Sequence, residues 1–342
     1  MNWNKIQIHT ESGELVEAQA PVIISASRAT DIPAFYSDWF VQRLKNGYVK
    51  WKNPFNGVPL YVSFQKTRLI VFWSKNPKPL IKYLDFLNER IPNYYIQFTL
   101  NDYDAEKLEP NVPNVQSRIE TFTQLSERIG KEKVIWRFDP LVLTNKIGVT
   151  ELLRKVENIG TQLKEHTTKM VFSFADIELY KKVRNNLRKN EIHYQEFNER
   201  LMNEFALELQ KLNKNWNFEI GACAEQIPLE KYGIIHNKCI DDDLMIKLFS
   251  HDKVLMDFLG VKVTPPDMFN PNGSVEKKRS NKDSGQRQFC GCIVSKDIGE
   301  YNTCPHLCEY CYANANKNIA LANWKSHKQN PNNETIKSNS LK

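Results

Sequence analysis

The sequence predicts an α/β protein built as a full or partial (β/α) TIM-type barrel, and three observations carry that expectation. Short apolar or β-branched runs recur along the chain, each run ends in a polar cluster, and amphipathic helical patterns separate the runs. Strands that alternate with helices imply parallel pairing through helical crossovers.

The strand units come in chain order. Val22–Ser25 precedes Ser27, Arg28 and Asp31, and Leu69–Trp73 precedes Lys75 and Asn76. Tyr95–Leu100 leads to Asn101 and Asp102, and Val134–Trp136 to Arg137 and Asp139. Met170–Phe174 leads to Asp176, and Asn217–Gly221 to Cys223 and Glu225. Apolar residues at helical spacing predict helices over Val115–Ile129, Val149–Leu163, His193–Leu212 and Asp242–Phe249. Any one polar residue after a strand reads equally well as a cap or turn. Six in succession, with Arg and Lys among them, read as the lining of a cavity at the C-terminal ends of the strands, where barrels of this kind build their active sites.

The 342 residues are 41% hydrophobic and 25% charged, which excludes collagen-like and wholly disordered chains. A net charge of +7 permits a polyanionic partner without requiring one; a solvated basic surface accounts for it as well. No apolar run approaches the roughly 20 residues of a membrane helix. The opening MNWNKIQIHTESGE lacks the basic-then-apolar plan of a signal peptide, so a soluble cytoplasmic protein with no membrane partner is expected.

All 7 cysteines lie beyond the first 222 residues: Cys223, Cys239, Cys290, Cys292, Cys304, Cys308 and Cys311. An odd number with five crowded into 22 positions makes a poor disulfide framework and a good metal-site pattern. Cys304, Cys308 and Cys311 form C-x3-C-x2-C, a spacing that puts three thiolates on one tight loop. They can ligate three irons of a [4Fe-4S] cube and leave the fourth open for chemistry.

This motif, with Tyr310 just before its last cysteine, is similar to the signature of the radical SAM enzymes. The resemblance implies that the open iron chelates S-adenosylmethionine (SAM), and that one-electron reduction yields methionine and a 5′-deoxyadenosyl radical. That radical takes hydrogen from a substrate. It also implies an electron donor, a reductase such as flavodoxin or ferredoxin. Two features depart from the family: the motif sits at the C-terminal end of the chain, and the Gly-Gly-Glu run that usually follows the second strand is absent.

More broadly, the chain resembles the bacterial DUF1848 family, uncharacterised proteins that carry this cysteine cluster at the C-terminus. The resemblance runs through Ser25-Ala26-Ser27-Arg28, Phe72-Trp73-Ser74-Lys75-Asn76-Pro77 and Trp136-Arg137-Phe138-Asp139-Pro140. It continues through Cys239-Ile240-Asp241 and Gln286-Arg287 into the cluster.

Circular permutation of a barrel explains the motif's position, because the first strand and its cluster loop then fall at the end of the chain. Ile293–Ser295 is the expected strand, Asp297–Tyr312 the loop, and Ala313–Lys325 the helix that follows. Ser25, Ser27 and Arg28 then occupy the place of the missing Gly-Gly-Glu and are expected to contact SAM, with Asn76 and Tyr310; a simple strand-end turn is the alternative. Arg28, Lys75, Arg137 and Asp139 are the candidate catalytic or substrate-binding groups, since Arg offers a two-pronged donor to carboxylate or phosphate; a buried structural pair is the alternative.

Cys223, Cys239, Cys290 and Cys292 are expected either to form a second [4Fe-4S] cluster or zinc site, or to be packing and loop thiols. His306, inside the motif, is expected to shape the loop rather than to ligate. Trp51, Trp73, Trp136, Tyr94 and Tyr95 would stack on a base if they line the cavity, although most aromatics in a barrel are core.

The expected divisions are a barrel body over 1–264, a mobile loop or lid over 265–288, an Fe-S segment over 289–328, and a disordered tail over 329–342. Against the radical SAM reading stands a metal-stabilised module, with zinc or a closed cluster, that binds nucleic acid or protein. A third reading is a radical enzyme acting on a nucleic-acid base, as spore photoproduct lyases do.

Overall fold

A computed structural model describes residues 3–54, 56–264 and 274–337. Its centre is an eight-stranded sheet whose strands, in chain order, are β1 (Ile23–Ala26), β2 (Leu69–Ser74), β3 (Asn93–Thr99) and β4 (Val134–Leu141), then β5 (Lys169–Phe174), β6 (Glu219–Ala222), β7 (Ile234–His236) and β8 (Lys296–Asp297). The spatial order is β7-β6-β5-β4-β3-β2-β1-β8, and every pairing is parallel. The last strand of this sheet in chain order therefore lies beside its first.

Parallel strands buried on both faces read as near-continuous apolar runs, which is why six of the eight were visible in the sequence. Ile24, Phe72, Ile96, Phe98, Trp136 and Phe172 point to one face and pack in the larger core under the crossover helices. Ile23, Leu69, Val71, Tyr95, Ile135 and Val171 point to the other. That second face is covered by Met245 and Phe249 of helix Asp242–Phe249 and by Leu255, Met256 and Leu259 of helix Lys253–Leu259.

Side chains alternate along a strand, so each inner-face row continues from apolar to polar toward its C-terminal end. Ile23 is followed by Ser25 and Ser27, Val71 by Trp73 and Lys75, Tyr95 by Gln97 and Thr99, Ile135 by Arg137 and Asp139, and Val171 by Ser173.

The architecture is mixed α/β, and no pairing joins β7 to β8 among the described residues, so no closed barrel is seen. The segments flanking these two edges meet instead: Ile293 N–H donates to the Ile240 carbonyl at 3.1 Å. The expected strand at Ile293–Ser295 falls three residues later, because Ile293 joins the apolar plug and the sheet register is set at Lys296–Asp297.

Helices Val115–Ile129, Val149–Leu163 and Asp242–Phe249 stand as expected. The helix expected from His193 begins at Glu199, where the Asn198 side chain caps the Leu201 N–H. The last helix is Lys317–Gln329, started by Asn316, which accepts from the N–H groups of Asn318 and Ile319. Lys5–His9, Leu15–Gln19, Tyr48–Lys52 and Pro59–Ser63 make a separate four-stranded sheet.

Within the lid expected over 265–288, residues 265–273 lie outside the described residues, and Ser274–Lys277 pairs with Val261–Thr264 as a hairpin. Residues 330–337, assigned by the sequence to a disordered tail, pack on helix Ser37–Asn46. Trp39 Nε1 donates to the Asn333 carbonyl at 2.7 Å, Arg43 Nη2 to that of Asn332 at 3.0 Å, and Ile336 is buried. With the Lys50 N–H donating to the Glu334 carbonyl at 3.0 Å and Lys337 paired with Glu300 at 3.9 Å, these contacts order a segment whose composition is otherwise polar. Residues 338–342 lie outside the described residues.

Candidate metal centre

The loop that follows β8 carries Cys304, Cys308 and Cys311, and Asp297 fixes where it starts. The Asp297 carboxylate accepts from Ser25 Oγ, Ser27 Oγ and the Arg28 N–H, each at 2.8 Å, and from the Gly299 N–H at 2.9 Å. A Cβ at position 299 would fall 1.8 Å from Ser27 Oγ, so only glycine lets the loop pass this close to β1. Ser25, Ser27 and the Arg28 backbone, expected to contact SAM, thus bind the cluster loop itself.

Further along, Trp51 Nε1 donates to the Gly299 carbonyl at 2.8 Å, and Asn111 Nδ2 to that of Pro305 at 2.8 Å. His306 lies between the Asn111 carbonyl at 3.1 Å and Asp31 at 2.9 Å. Both ring nitrogens are therefore engaged, in keeping with a loop-shaping residue.

Tyr310 is buried, and its hydroxyl donates to Glu109 while accepting from Lys75 Nζ at 2.9 Å and Asn101 Nδ2 at 3.0 Å. Lys75 Nζ also bonds Glu109 Oε1 at 2.7 Å. Burial alone would raise the Glu109 pKa, but the Lys75 ammonium and Arg118 guanidinium outweigh it and hold the carboxyl at about 2. Lys75 and Tyr310 clamp the underside of the loop. Asn76 closes the β2 end, its N–H donating to Ser74 Oγ at 3.0 Å.

Cys308 is buried, while Cys304 and Cys311 are partly exposed. Among the described residues no hydrogen bond joins these three sulfurs, and the only three ligand-type atoms within 4.8 Å of one another belong to Asp241, Asp242 and Asp243. Four-coordinate zinc holds its thiolates about 3.8 Å apart, given Zn–S bonds near 2.3 Å. The wider spacing of three sulfurs on one loop fits a cluster better than a single ion. Burial pushes all three thiols upward in pKa, so their thiolate forms call for a bound cation.

Beside this loop the inner face of the sheet presents Trp73 between two guanidinium groups, Arg28 at 5.8 Å and Arg137 at 5.2 Å from its ring centroid. Arg28 Nε, Arg137 Nε and Trp73 Nε1 are buried donors with no protein partner. Tyr312 OH donates to the Arg28 carbonyl at 3.0 Å, linking this face to the motif. Asp139 pairs with Arg137, accepts from Ser173 Oγ, and takes its backbone N–H partner from Asn101 Oδ1 at 2.8 Å. Burial raises Glu225, whose Oε1 accepts from the Phe174 N–H at 3.1 Å, to about 7. Trp136, Tyr94 and Tyr95 belong to the core, so Trp73 and Trp51 stand at the site, and Tyr95 reaches it only through its hydroxyl, which donates to the Cys239 carbonyl at 2.9 Å.

The other four cysteines come together where the two sheet edges approach. Cys223 and Cys239 sulfurs lie 3.1 Å apart, Cys292 Sγ accepts from the Cys239 backbone N–H at 3.2 Å, and Cys290 packs against this group. The structure therefore sorts the seven cysteines into three and four. Sequence reasoning missed Asp297, Glu109 and Asn237, none of which lies in a recognisable motif. Asp297, at the head of the cysteine loop, offered the one local hint.

Fold and site together define an α/β protein with an eight-stranded parallel sheet and a cysteine-rich centre at the C-terminal ends of its strands. Residues 23–313 match the DUF1848 family, a domain of unknown function, and the chain belongs to that family. No curated protein and no solved structure matches it. No helix among the described residues is long and apolar enough to cross a membrane.

Proposed function

We propose that the chain is a radical SAM-type enzyme in which Cys304, Cys308 and Cys311 hold a [4Fe-4S] cluster with one iron open. The observation that carries this reading is the sorting of the cysteines. The other four associate with one another, so the motif keeps three thiols and no fourth cysteine. A closed structural site would need another ligand, and His306 already uses both ring nitrogens on Asp31 and Asn111.

The strand order supports the same reading. Taken as β8-β1-β2-β3-β4-β5-β6-β7, the sheet is a partial (β/α) barrel whose chain begins after its first strand, and the cysteine loop then sits where such folds place their active sites. A bound cluster with SAM would supply one-electron cleavage to a 5′-deoxyadenosyl radical.

The chain's own residues fix and line the site. Asp297 latches the loop to β1, and Lys75, Glu109 and Tyr310 hold it from beneath. Arg28, Trp73 and Arg137 offer unpartnered buried N–H groups to an anionic or hydrogen-bonding ligand. Electron supply falls to a reductase of the flavodoxin or ferredoxin kind, and the substrate class stays open to a nucleic-acid base.

The test is anaerobic reconstitution with iron and sulfide, then incubation with dithionite and SAM and measurement of 5′-deoxyadenosine. The wild type forms it, and Cys308→Ala forms none while keeping its far-UV circular dichroism. Product from Cys308→Ala, or none from a wild type that carries iron and sulfide, overturns the assignment.

A further inference from the structure

We infer that Cys223, Cys239, Cys290 and Cys292 hold a second, fully thiolate-ligated iron–sulfur cluster, separate from the three-cysteine loop. The four come from three distant places in the chain: the end of β6, the turn after β7, and the segment before β8. No local turn brings them together, so their meeting is a property of the fold.

Cys223 and Cys239 sulfurs lie 3.1 Å apart, the Cys239 backbone N–H lies 3.2 Å from Cys292 Sγ, and Cys290 packs against the same group. No three of them lie mutually within 4.8 Å. A tetrahedral zinc site needs all six sulfur–sulfur separations near about 3.8 Å. Cys223 and Cys239, at 3.1 Å, are close enough to share one iron, so the four thiols match a two-iron cluster, which takes two thiolates on each iron, rather than a cube that puts each thiolate on its own iron.

The surroundings are those of an anionic sulfur centre. Arg137 Nη1 donates to Cys239 Sγ at 3.1 Å and Nη2 reaches Cys223 Sγ at 3.8 Å. Asn237 Nδ2 lies 3.1 Å from Cys223 Sγ and 3.5 Å from Cys239 Sγ. The backbone N–H groups of Cys239 and Ile240 point at Cys292 Sγ at 3.2 and 3.4 Å. Packing thiols seldom gather this many N–H donors, whereas hydrogen bonds to sulfur are a principal means by which proteins set cluster potentials.

Both terminal nitrogens of Arg137 are engaged by these sulfurs, Gln97 and Asp139, and Nε alone is left without a partner. Its place beside the cluster, as the positive charge opposing four thiolates, accounts for a buried arginine that the sequence pointed to as a substrate binder.

The experiment uses the full chain with Cys304, Cys308 and Cys311 all replaced by Ala, so that any metal reports on the other four alone. Anaerobic reconstitution with iron and sulfide is expected to leave two irons per chain with matching acid-labile sulfide, and a paramagnetic signal on reduction. Adding Cys239→Ser and Cys292→Ser should remove both. Iron without sulfide, zinc displacing iron, or no metal overturns the inference. If the triple variant does not fold, the wild type decides: six irons per chain support the second cluster, and four overturn it. A triple variant that keeps this iron and still forms 5′-deoxyadenosine would refute the proposed function and leave the inference standing.

Discussion

The Asp297 carboxylate accepts the Ser27 hydroxyl at 2.8 Å across 270 residues of chain, joining the first strand of the sheet to the last. Three further donors, Ser25, the Arg28 N–H and the Gly299 N–H, converge on the same carboxylate. Asp297→Ala leaves these donors facing an empty space. Hydrogen bonds to a charged acceptor contribute about 1.5–3 kcal/mol each at most, and a total loss of about 3 kcal/mol is expected by urea denaturation. Iron content at the three-cysteine loop should fall as well, and an unchanged midpoint and iron content would contradict the latch.

Gly299 gives a steric test of the same junction. A methyl group there overlaps Ser27 Oγ at 1.8 Å, so Gly299→Ala should cost about 2 kcal/mol through forced displacement of the loop. Combining it with Ser27→Gly should recover part of that loss. A double-mutant cycle with no coupling would show that the two residues do not meet.

Glu109 sits with no solvent contact between Lys75, Arg118 and Tyr310. Glu109→Gln removes one partner from a buried charge cluster, a change that typically costs about 3–5 kcal/mol because the cations are left uncompensated. Tyr310→Phe removes one hydroxyl and should cost about 1 kcal/mol. Thermal unfolding of the two variants should rank them in that order.

Glu300 predicts a pH dependence. Burial raises its carboxyl from 4.5 to about 7, with Lys337 at 3.9 Å opposing the shift only in part. Because the folded-state value is the higher one, the contribution to stability is fully present below about pH 4.5 and is lost as pH rises to about 7. The total is about 3 kcal/mol at 1.36 kcal/mol per unit. Glu300→Gln should therefore gain on the wild type as pH is raised from 5 to 8. A melting-temperature difference that stays constant across this range would rule the effect out.

Much of the fold was legible because its signals are local. Runs such as Leu69–Trp73 and Met170–Phe174 carry the strand propensity of residues buried on two faces, and helix Val149–Leu163 repeats its apolar side at helical spacing. β7 escaped notice, and β8 was expected three residues too early at Ile293–Ser295, because three and two residues are too short to show a period; partners in space, rather than composition, make them strands. Helix starts moved to Asn198 and Asn316 because a single capping side chain decides a boundary that periodicity leaves blurred.

The site divides in the same way. C-x3-C-x2-C is a contiguous motif, so the sequence by itself determined that three thiols share one loop, and the period-two alternation of the strands determined that Arg28, Lys75, Arg137 and Asp139 follow apolar rows. Only the tertiary structure decided what those groups touch. It turned Ser25 and Ser27 onto Asp297, Lys75 onto Glu109 and Tyr310, and Arg137 onto Cys223 and Cys239. It also gathered four cysteines from three separate segments at the approach of β7 and β8. Such pairings depend on where distant strands lie side by side, and strand order is set by the packing of the whole chain, which no local spacing encodes.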